Sequence, residues 1–392
     1  MQPVDVLVVG GGPAGSTCAW ALRRAGLDVL VWDRQAFPRD KLCAGWITPH
    51  VVAALELDLA DYAAGGRTCQ AIAGFQVSRL GDREARVRYA QPVSYGIRRC
   101  EFDHYLLARS GAAQRLGEPL RTLERDGDRW MANDAVRAPL LIGAGGHFCP
   151  VAQRLGAALG HGEPIVAAQE AEFRLTTAQA RDCTVAEDLP EIYFTRDLKG
   201  YGWVFRKGDY LNVGLGRQGN AQLAAHVAEF VAWLAARGKV PATLGARLSG
   251  HPYLLYTQAP RPLLGDRALL IGDAAGLAYA RSGEGIRPAV ESALLAATTV
   301  VEAAGRYDTA RLAPYARRVA ERFGPRAEPA GLLDLLPEWL LAGLAGRLFG
   351  AAWFARRVVL DEWFFHTRQA PLGAGDTSAG LPASVQLGSL PW

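Results

Sequence analysis

Six cysteines and seven histidines are the side chains of this 392-residue chain best suited to nucleophilic, acid–base or metal chemistry. The cysteines (Cys18, Cys43, Cys69, Cys100, Cys149 and Cys183) form no C-x-x-C pair and no metal-ligand spacing, so no metal is expected. No Ser/His/Asp arrangement offers a base-activated nucleophile. Two candidate catalytic residues stand out by their surroundings. Cys43 lies in a small-residue loop, FPRDKLCAG, between Pro38 and Pro49. It is either a thiol beside a bound ring or substrate, or a small buried hydrophobe, as most free cysteines are. His147, in GAGGHFCP, is an acid–base candidate because imidazole titrates near neutrality; a surface or capping histidine is the alternative. So sparse a set implies a cofactor that carries the chemistry while the protein sets orientation and access.

The elements that would hold such a cofactor begin at once. Val4 to Asp33 reads as an apolar strand, a glycine turn, a helix of about three turns and a second apolar strand ending in an acid. Gly10, Gly12 and Gly15 give the G-x-G-x-x-G spacing of a dinucleotide-binding βαβ unit: a tight turn, close approach to a pyrophosphate, and close helix–strand packing. Pro13 and Ala14 open the helix, whose free N–H groups and positive dipole end would face the phosphates. Asp33 is placed to accept hydrogen bonds from an adenosine ribose, with Arg34 following it. The motif alone leaves NAD and FAD both open.

Composition limits the rest. Half the residues are hydrophobic and 21% are charged, ordinary for a globular protein, and the length suggests two or three structural units. A net charge of +4, from 43 basic and 39 acidic residues, is too balanced to argue for nucleic acid. The first strand leaves no room for a signal peptide, and unpaired cysteines suit a reducing compartment, so the expected location is cytoplasmic. No apolar run reaches the uncharged length of a membrane span.

Further along, residues 67–98 read as a meander of three short strands, and RRCEFDHYLLARSGAAQRL as a helix. A hairpin and a buried strand ending at Gly143 return the chain to its first sheet. Residues 161–264 are β-rich, interrupted by a helix from Ala221 to Ala236, with a turn at Lys207-Gly208-Asp209. Tyr201, Trp203 and Phe205 alternate, so they share one strand face, lining either an apolar pocket or a sheet core. A second strand-to-helix junction follows, with Gly272 and Asp273 at the strand end and Gly283, Gly285 and Ile286 opening a long helix. Asp273 could reach a ribityl hydroxyl or cap the turn. Arg281 and Arg287 flank the glycines, as solvated arginines or as anion ligands.

Four separated segments together resemble the FAD-dependent oxidoreductases of the aromatic-hydroxylase fold, most of all the geranylgeranyl reductase group. GGGPAG with Asp33 resembles the FAD fingerprint, and FPRDKLCAG (with Lys41, Cys43 and Ala44) the cysteine loop near the flavin. Arg99 with Phe102-Asp103 resembles R-x-x-F-D, whose arginine helps hold the cofactor, and LLIGDAAG…GEGI the ribityl and ring-binding segment. YGWVFRKGDYLNVGLG resembles the substrate-domain strand pair of the reductases.

The resemblance implies an α/β (mixed α+β) fold with a discontinuous Rossmann-like FAD domain (1–66, 98–160, 265–326). A β-rich substrate domain (67–97, 161–264), a C-terminal helical region (327–370) and an extended or disordered tail (371–392) complete it. It implies reduction of carbon–carbon double bonds in a bulky, polyprenyl-like substrate. With no second G-x-G-x-x-G, electrons would come from transient NAD(P)H docking or a protein donor. Two other readings stay open: a monooxygenase acting on a bulky aromatic or carrier-bound substrate in a biosynthetic pathway, and a non-catalytic flavoprotein that binds a partner. Hydroxylases of this fold carry Asp-Gly where Gly145-Gly146 stands and a proline where Ala280 stands, and the halogenase W-x-W-x-I-P is missing. The C-terminal segment, with Trp339, Trp353 and Trp363 among leucines, could close over substrate, lie on a membrane surface or pack on the FAD domain; Asp334, Glu338, Arg347, Arg356 and Arg357 keep it from spanning a bilayer.

Overall fold

Strands Val6–Val9 and Val29–Asp33 are buried at every position, which is why both read as unbroken apolar runs. The computed structural model describes residues 1–159, 162–219, 222–326 and 346–372. The two strands lie at the centre of a six-stranded sheet in the order Leu264–Gly265, Ala268–Leu270, Leu140–Gly143, Val6–Val9, Val29–Asp33, Ala113–Leu116, parallel except for the first pair. Helices Pro13–Arg24 and Ile286–Ala303 share its core, presenting Ala14, Cys18 and Ala19 together with Ala289, Ala293 and Ala296. Small side chains let the two backbones come close, so the glycine turn and the second junction end side by side.

A seven-stranded, mostly antiparallel sheet forms the other half, in the order Ser249–Leu254, Ile165–Arg174, Tyr210–Gln218, Gly200–Lys207, Glu191–Phe194, Gly74–Arg79, Ala85–Arg88. Three of its strands are in a register that matters for the site. Tyr201, Gly216 and Ala168 lie in one cross-strand row, Trp203, Gly214 and Glu170 in the next, and Phe205, Asn212 and Glu172 in a third. Alternation puts all nine on one face. The opposite face is covered by helix Leu223–Ala235, through Leu223, Val227, Phe230 and Leu234.

Several sequence expectations need correction. Residues 67–98 are four strands rather than a three-strand meander. Ser94–Ile97 pairs with both Cys69–Ile72 and Trp46–Ile47, while Gly74–Arg79 and Ala85–Arg88 join the large sheet. The break falls at Gly74, where an added Cβ would lie 2.2 Å from the Val87 carbonyl oxygen. The helix expected through Leu116 ends at Arg109, and Ala113–Leu116 becomes an edge strand of the parallel sheet, since Gly111 adopts a positive φ that ends the helix. Arg287 is neither solvated nor an anion ligand. It is fully buried, donating to Glu291 at 2.8 Å and to the Phe365 carbonyl at 2.8 Å.

The C-terminal segment packs mainly on the large sheet rather than on the parallel one. Ala352–Phe354 continues into a π-helix, Ala355–Phe364, that seats Val359, Leu360 and Phe364 against Phe75, Phe194 and Phe205. Tyr89 donates to Asp361 at 2.7 Å, and Gln369 to the Arg322 carbonyl at 2.7 Å, pinning both ends. Trp339, Asp334 and Glu338, and the tail from 373, lie outside the described residues. Among the described residues no helix is long and apolar enough to cross a membrane.

Candidate functional site

One cleft of about 380 Å³ runs from the glycine turn, past the second junction, to the aromatic face of the large sheet. Its glycine end is built from backbone. Helix Pro13–Arg24 begins without a side-chain cap, leaving its first N–H groups toward the cleft, where Gly10, Gly12, Pro13 and Ala14 line the wall. Gly10 has φ +114°, and a Cβ there would strike Ala144 O at 2.4 Å. Gly15 does not line the cleft. It stands behind the turn, where a Cβ would come within 1.8 Å of the Gly10 carbonyl oxygen. A Cβ on Gly12 would meet only the Arg39 guanidinium, at 3.4 Å, so the backbone there is open to a ligand. Asp33 and Arg34 line this end too. Asp33 has a task within the protein: its Oδ2 accepts from Gly11 N at 2.8 Å and its Oδ1 from Gln35 N at 2.9 Å.

Arg99 lines the cleft beside this turn and forms a two-pronged pair with buried Asp103, at 2.7 and 2.9 Å. Asp103 also holds Arg39, at 3.3 Å, so one acid orients two cations toward the cleft. Burial works against the charge on Arg99, but Asp103 and then Cys43 outweigh it and raise its pKa. Arg39 goes the other way: burial lowers its pKa, and its Nε has no hydrogen-bond partner. An arginine with unmet donors at a bare glycine turn is what a pyrophosphate requires. Lys41 lines the next stretch, its pKa lowered by burial and by Arg99.

At the second junction, Asp273, Gly283, Gly285 and Ile286 line the cleft. Gly272 does not; it is wedged between Ala14 and Ala289, with its N–H donated to Ser292 at 3.0 Å. His147 also lines the cleft but is buried, which corrects the surface reading. Its Nδ1 lies 3.4 Å from Arg261, and Arg261 is clamped to Glu163 at 2.6 and 2.8 Å. Burial and then Arg261 lower its pKa, so the ring is held neutral in a structural cluster behind the loop.

The far end is built from side chains. Cys43 and Ala44 line it, with Cys43 half-buried; its N–H donates to Glu170 and its carbonyl accepts from Asn212 at 3.4 Å. Tyr201 and Trp203 face the cleft. The Tyr201 hydroxyl donates to the Ser282 carbonyl, and the Trp203 indole N–H to Asn212 at 2.7 Å. Phe205 lies deeper, fully buried against Trp46 at 5.5 Å between ring centroids, and does not line the cleft. Gly214 makes room for the side chains on either side of it: a Cβ there would strike the Trp203 indole at 2.4 Å and the Glu170 Cβ at 2.7 Å.

Among the lining residues that escape the sequence reading are Arg39, Glu170, His251 and Glu284. Burial raises the Glu170 pKa to about 7 and that of Glu284 to about 8. Burial, then Lys41 and Arg99, lower that of His251 to about 3. Among the described residues no cluster of His, Cys, Asp and Glu could hold a metal ion.

A dinucleotide βαβ unit whose cleft continues past a second helix N-terminus onto an aromatic sheet defines a flavin-dependent oxidoreductase architecture. The family model described as FAD dependent oxidoreductase matches residues 5–150. The menaquinone reductase of Mycobacterium tuberculosis is 32% identical over 353 residues, 85% of this chain and 83% of the relative. The digeranylgeranylglycerophospholipid reductase of Methanocaldococcus jannaschii is 27% identical over 341 residues, 81% of this chain and 82% of the relative. In fold, the chain is similar to a geranylgeranyl bacteriochlorophyll reductase-like protein from Thermoplasma acidophilum, with a TM-score of 0.75, 21% identity, and coverage of 93% of this chain and 97% of that one. The chain belongs to the FAD-dependent oxidoreductases, and its relatives include geranylgeranyl reductases.

Proposed function

We propose that this enzyme saturates isolated carbon–carbon double bonds in a polyprenyl chain, using reduced FAD. The observation that carries the reading is the cleft itself. A cofactor-sized path ends at an aromatic wall of Trp203, Tyr201, Trp46 and Tyr253, an environment that suits a flat ring against a hydrocarbon. The relatives' names support it, since geranylgeranyl groups and menaquinones are isoprenoid.

The chain's residues take distinct parts in this reading. Gly10, Gly12, Pro13, Ala14 and Gly15 shape the pyrophosphate site, with Arg39 and Arg99 as its cations and Asp33 and Arg34 at the adenosine end. Lys41, Ala44, Asp273, Gly283, Gly285 and Ile286 form the ribityl and ring site, with Gly272 packed behind it between Ala14 and Ala289. Bound and reduced there, FAD supplies two electrons as a hydride. Cys43 stands at the border between ring and substrate. Tyr201 and Trp203 exclude water and orient the chain, and Phe205 supports them from behind. His147, through Arg261, ties its loop to the second junction rather than moving a proton.

The test is product analysis: protein reduced with dithionite, without oxygen, is given geranylgeranyl diphosphate or a menaquinone. The expected product has gained two hydrogens per reduced bond by mass spectrometry. Recovery of both compounds unchanged, or of an oxygenated product once air is admitted, contradicts the reading.

A further inference from the structure

Adding hydride to one carbon of an isolated alkene leaves the other carbon short of a proton, so the cleft must contain an acid. Most of its titratable groups are already engaged. Asp33 accepts two backbone N–H groups at the glycine end. His147 is tied to the Arg261–Glu163 pair. His251 is kept neutral by its burial and by Lys41 and Arg99. The Tyr201 hydroxyl proton is committed to Ser282.

Glu170 is a carboxylic acid, unlike the neutral imidazoles of His147 and His251, and unlike Asp33 and Tyr201 it keeps an oxygen unpartnered. It is 2% exposed, it lines the cleft, and its Oε2 has no hydrogen-bond partner. Its Oε1 accepts the Cys43 N–H, which fixes the carboxyl at the foot of the cysteine loop. In the sheet it shares a row with Gly214 and Trp203, and because the middle residue has no side chain, indole and Glu170 side chain close together over it: a Gly214 Cβ would fall 2.4 Å from the indole and 2.7 Å from the Glu170 Cβ. We propose that Glu170 is the proton donor of the reduction, its Oε2–H protonating the alkene carbon that does not receive hydride. This rests on the prenyl-reductase reading above.

The charges around Glu170 are Lys207 from strand Gly200–Lys207, two strands away in the sheet, Glu172 on its own strand, and Lys41 from the cysteine loop. Burial outweighs the two lysines and pushes its pKa up to about 7, so it carries a proton near neutrality. Glu172, two residues on and on the same face, ends at the opposite extreme: burial is overcome by Lys207, which donates to it, and by Asn212, and its pKa is lowered. Two carboxylates on one strand are thereby driven apart, one held as an acid and the other as a counter-ion, the arrangement by which environment assigns acid–base roles. Glu284 also has a raised pKa and unpartnered oxygens, but it sits on the turn before helix Ile286–Ala303, outside the Trp203 row.

The step balances. The alkene takes one hydride, with both electrons, from the reduced cofactor and one proton from Glu170. The cofactor is oxidised, the carbon–carbon double bond becomes single, and the Glu170 carboxylate regains its proton from water.

Glu170→Gln tests this, because Gln keeps the acceptor for Cys43 N–H and loses only the acid. In a single turnover with geranylgeranyl diphosphate, product formation is expected to fall about 100-fold or more. The wild-type loss of rate as pH rises through about 7 should vanish, while FAD affinity stays the same. Glu170→Asp should retain a titrating rate at reduced speed. In cofactor-free protein, infrared difference spectra should show a carboxylic-acid C=O band lost as pH rises through about 7 and missing from the Gln variant. A Gln variant with the wild-type rate and pH profile, or with the infrared band intact, overturns the proposal while leaving the prenyl-reductase reading in place. A wild-type protein that reduces no prenyl chain overturns both.

Discussion

The two ends of the cleft are built from different materials. The glycine end is mostly backbone: an uncapped helix N-terminus, a turn held by Asp33, and glycines whose missing Cβ atoms make room. The far end is side chains set on a rigid sheet, with Glu170 and Trp203 on either side of Gly214. A backbone site tolerates almost no change at its few glycines and is indifferent to most of its neighbours. A side-chain site changes function residue by residue while its sheet stays intact. That difference explains how one cofactor-binding design can serve many substrates.

The comparison can be broken first at the glycine end. Gly15→Val places carbon where the Gly10 carbonyl oxygen stands 1.8 Å from a Cβ. It should cost at least about 4 kcal/mol of cofactor binding, a roughly thousandfold loss, and yield colourless protein on purification, as read from flavin absorbance. Asp103→Ala comes next, because it strands Arg39 and Arg99 as unpaired, largely buried cations. A destabilisation of about 3 kcal/mol is expected in urea unfolding of the cofactor-free protein, and added FAD should recover part of it.

At the far end the effects are smaller and depend on pH. The Glu170 pKa is raised in the folded protein from 4.5 to about 7, so the fold disfavours its ionised form. Stability from this group is intact below about pH 4.5, falls as pH rises toward about 7 and stays reduced above it. Glu170→Gln should therefore match the wild type in acid and be more stable by about 2–3 kcal/mol at alkaline pH, measured by denaturant titration at both. Trp203→Phe, which loses the indole N–H donated to Asn212 and part of a buried ring, should cost about 1–3 kcal/mol of stability and leave flavin binding unchanged.

What the sequence made legible follows the same division. A backbone site needs glycines at fixed spacing, so Gly10, Gly12, Gly15, Gly283 and Gly285 could be read directly, together with the strands and helices on either side. Arg39 could not, because nothing local distinguishes it from the solvated Arg34 two turns of loop earlier; only Asp103, held by a helix distant in sequence, aims it at the turn. Glu170 was hidden for a related reason. In IVAAQEAEFR an acid every second residue reads as a wet strand face, and its burial exists only once the cysteine loop closes over it. Arg287 is the converse case, a charge expected in solvent that the C-terminal segment buries through Phe365 and Gln369. That segment shows its partner only in three dimensions, since its leucines and aromatics suit any apolar face, and the face it takes is the one carrying Phe75 and Phe194. Strand Ala113–Leu116 was missed because its four residues carry no β-branched or aromatic side chain, and pairing with Val29–Asp33 alone decides its state.

The central claim is that electrons held on a cofactor ring beside Cys43 and the second junction pass to an apolar chain lying against Tyr201 and Trp203. It is tested most directly by mixing reduced protein with geranylgeranyl diphosphate in the strict absence of oxygen and following the flavin spectrum. The account predicts reoxidation that requires the prenyl compound and slows in Glu170→Gln. Flavin that stays reduced with the prenyl compound, and is reoxidised only when oxygen enters, would contradict it.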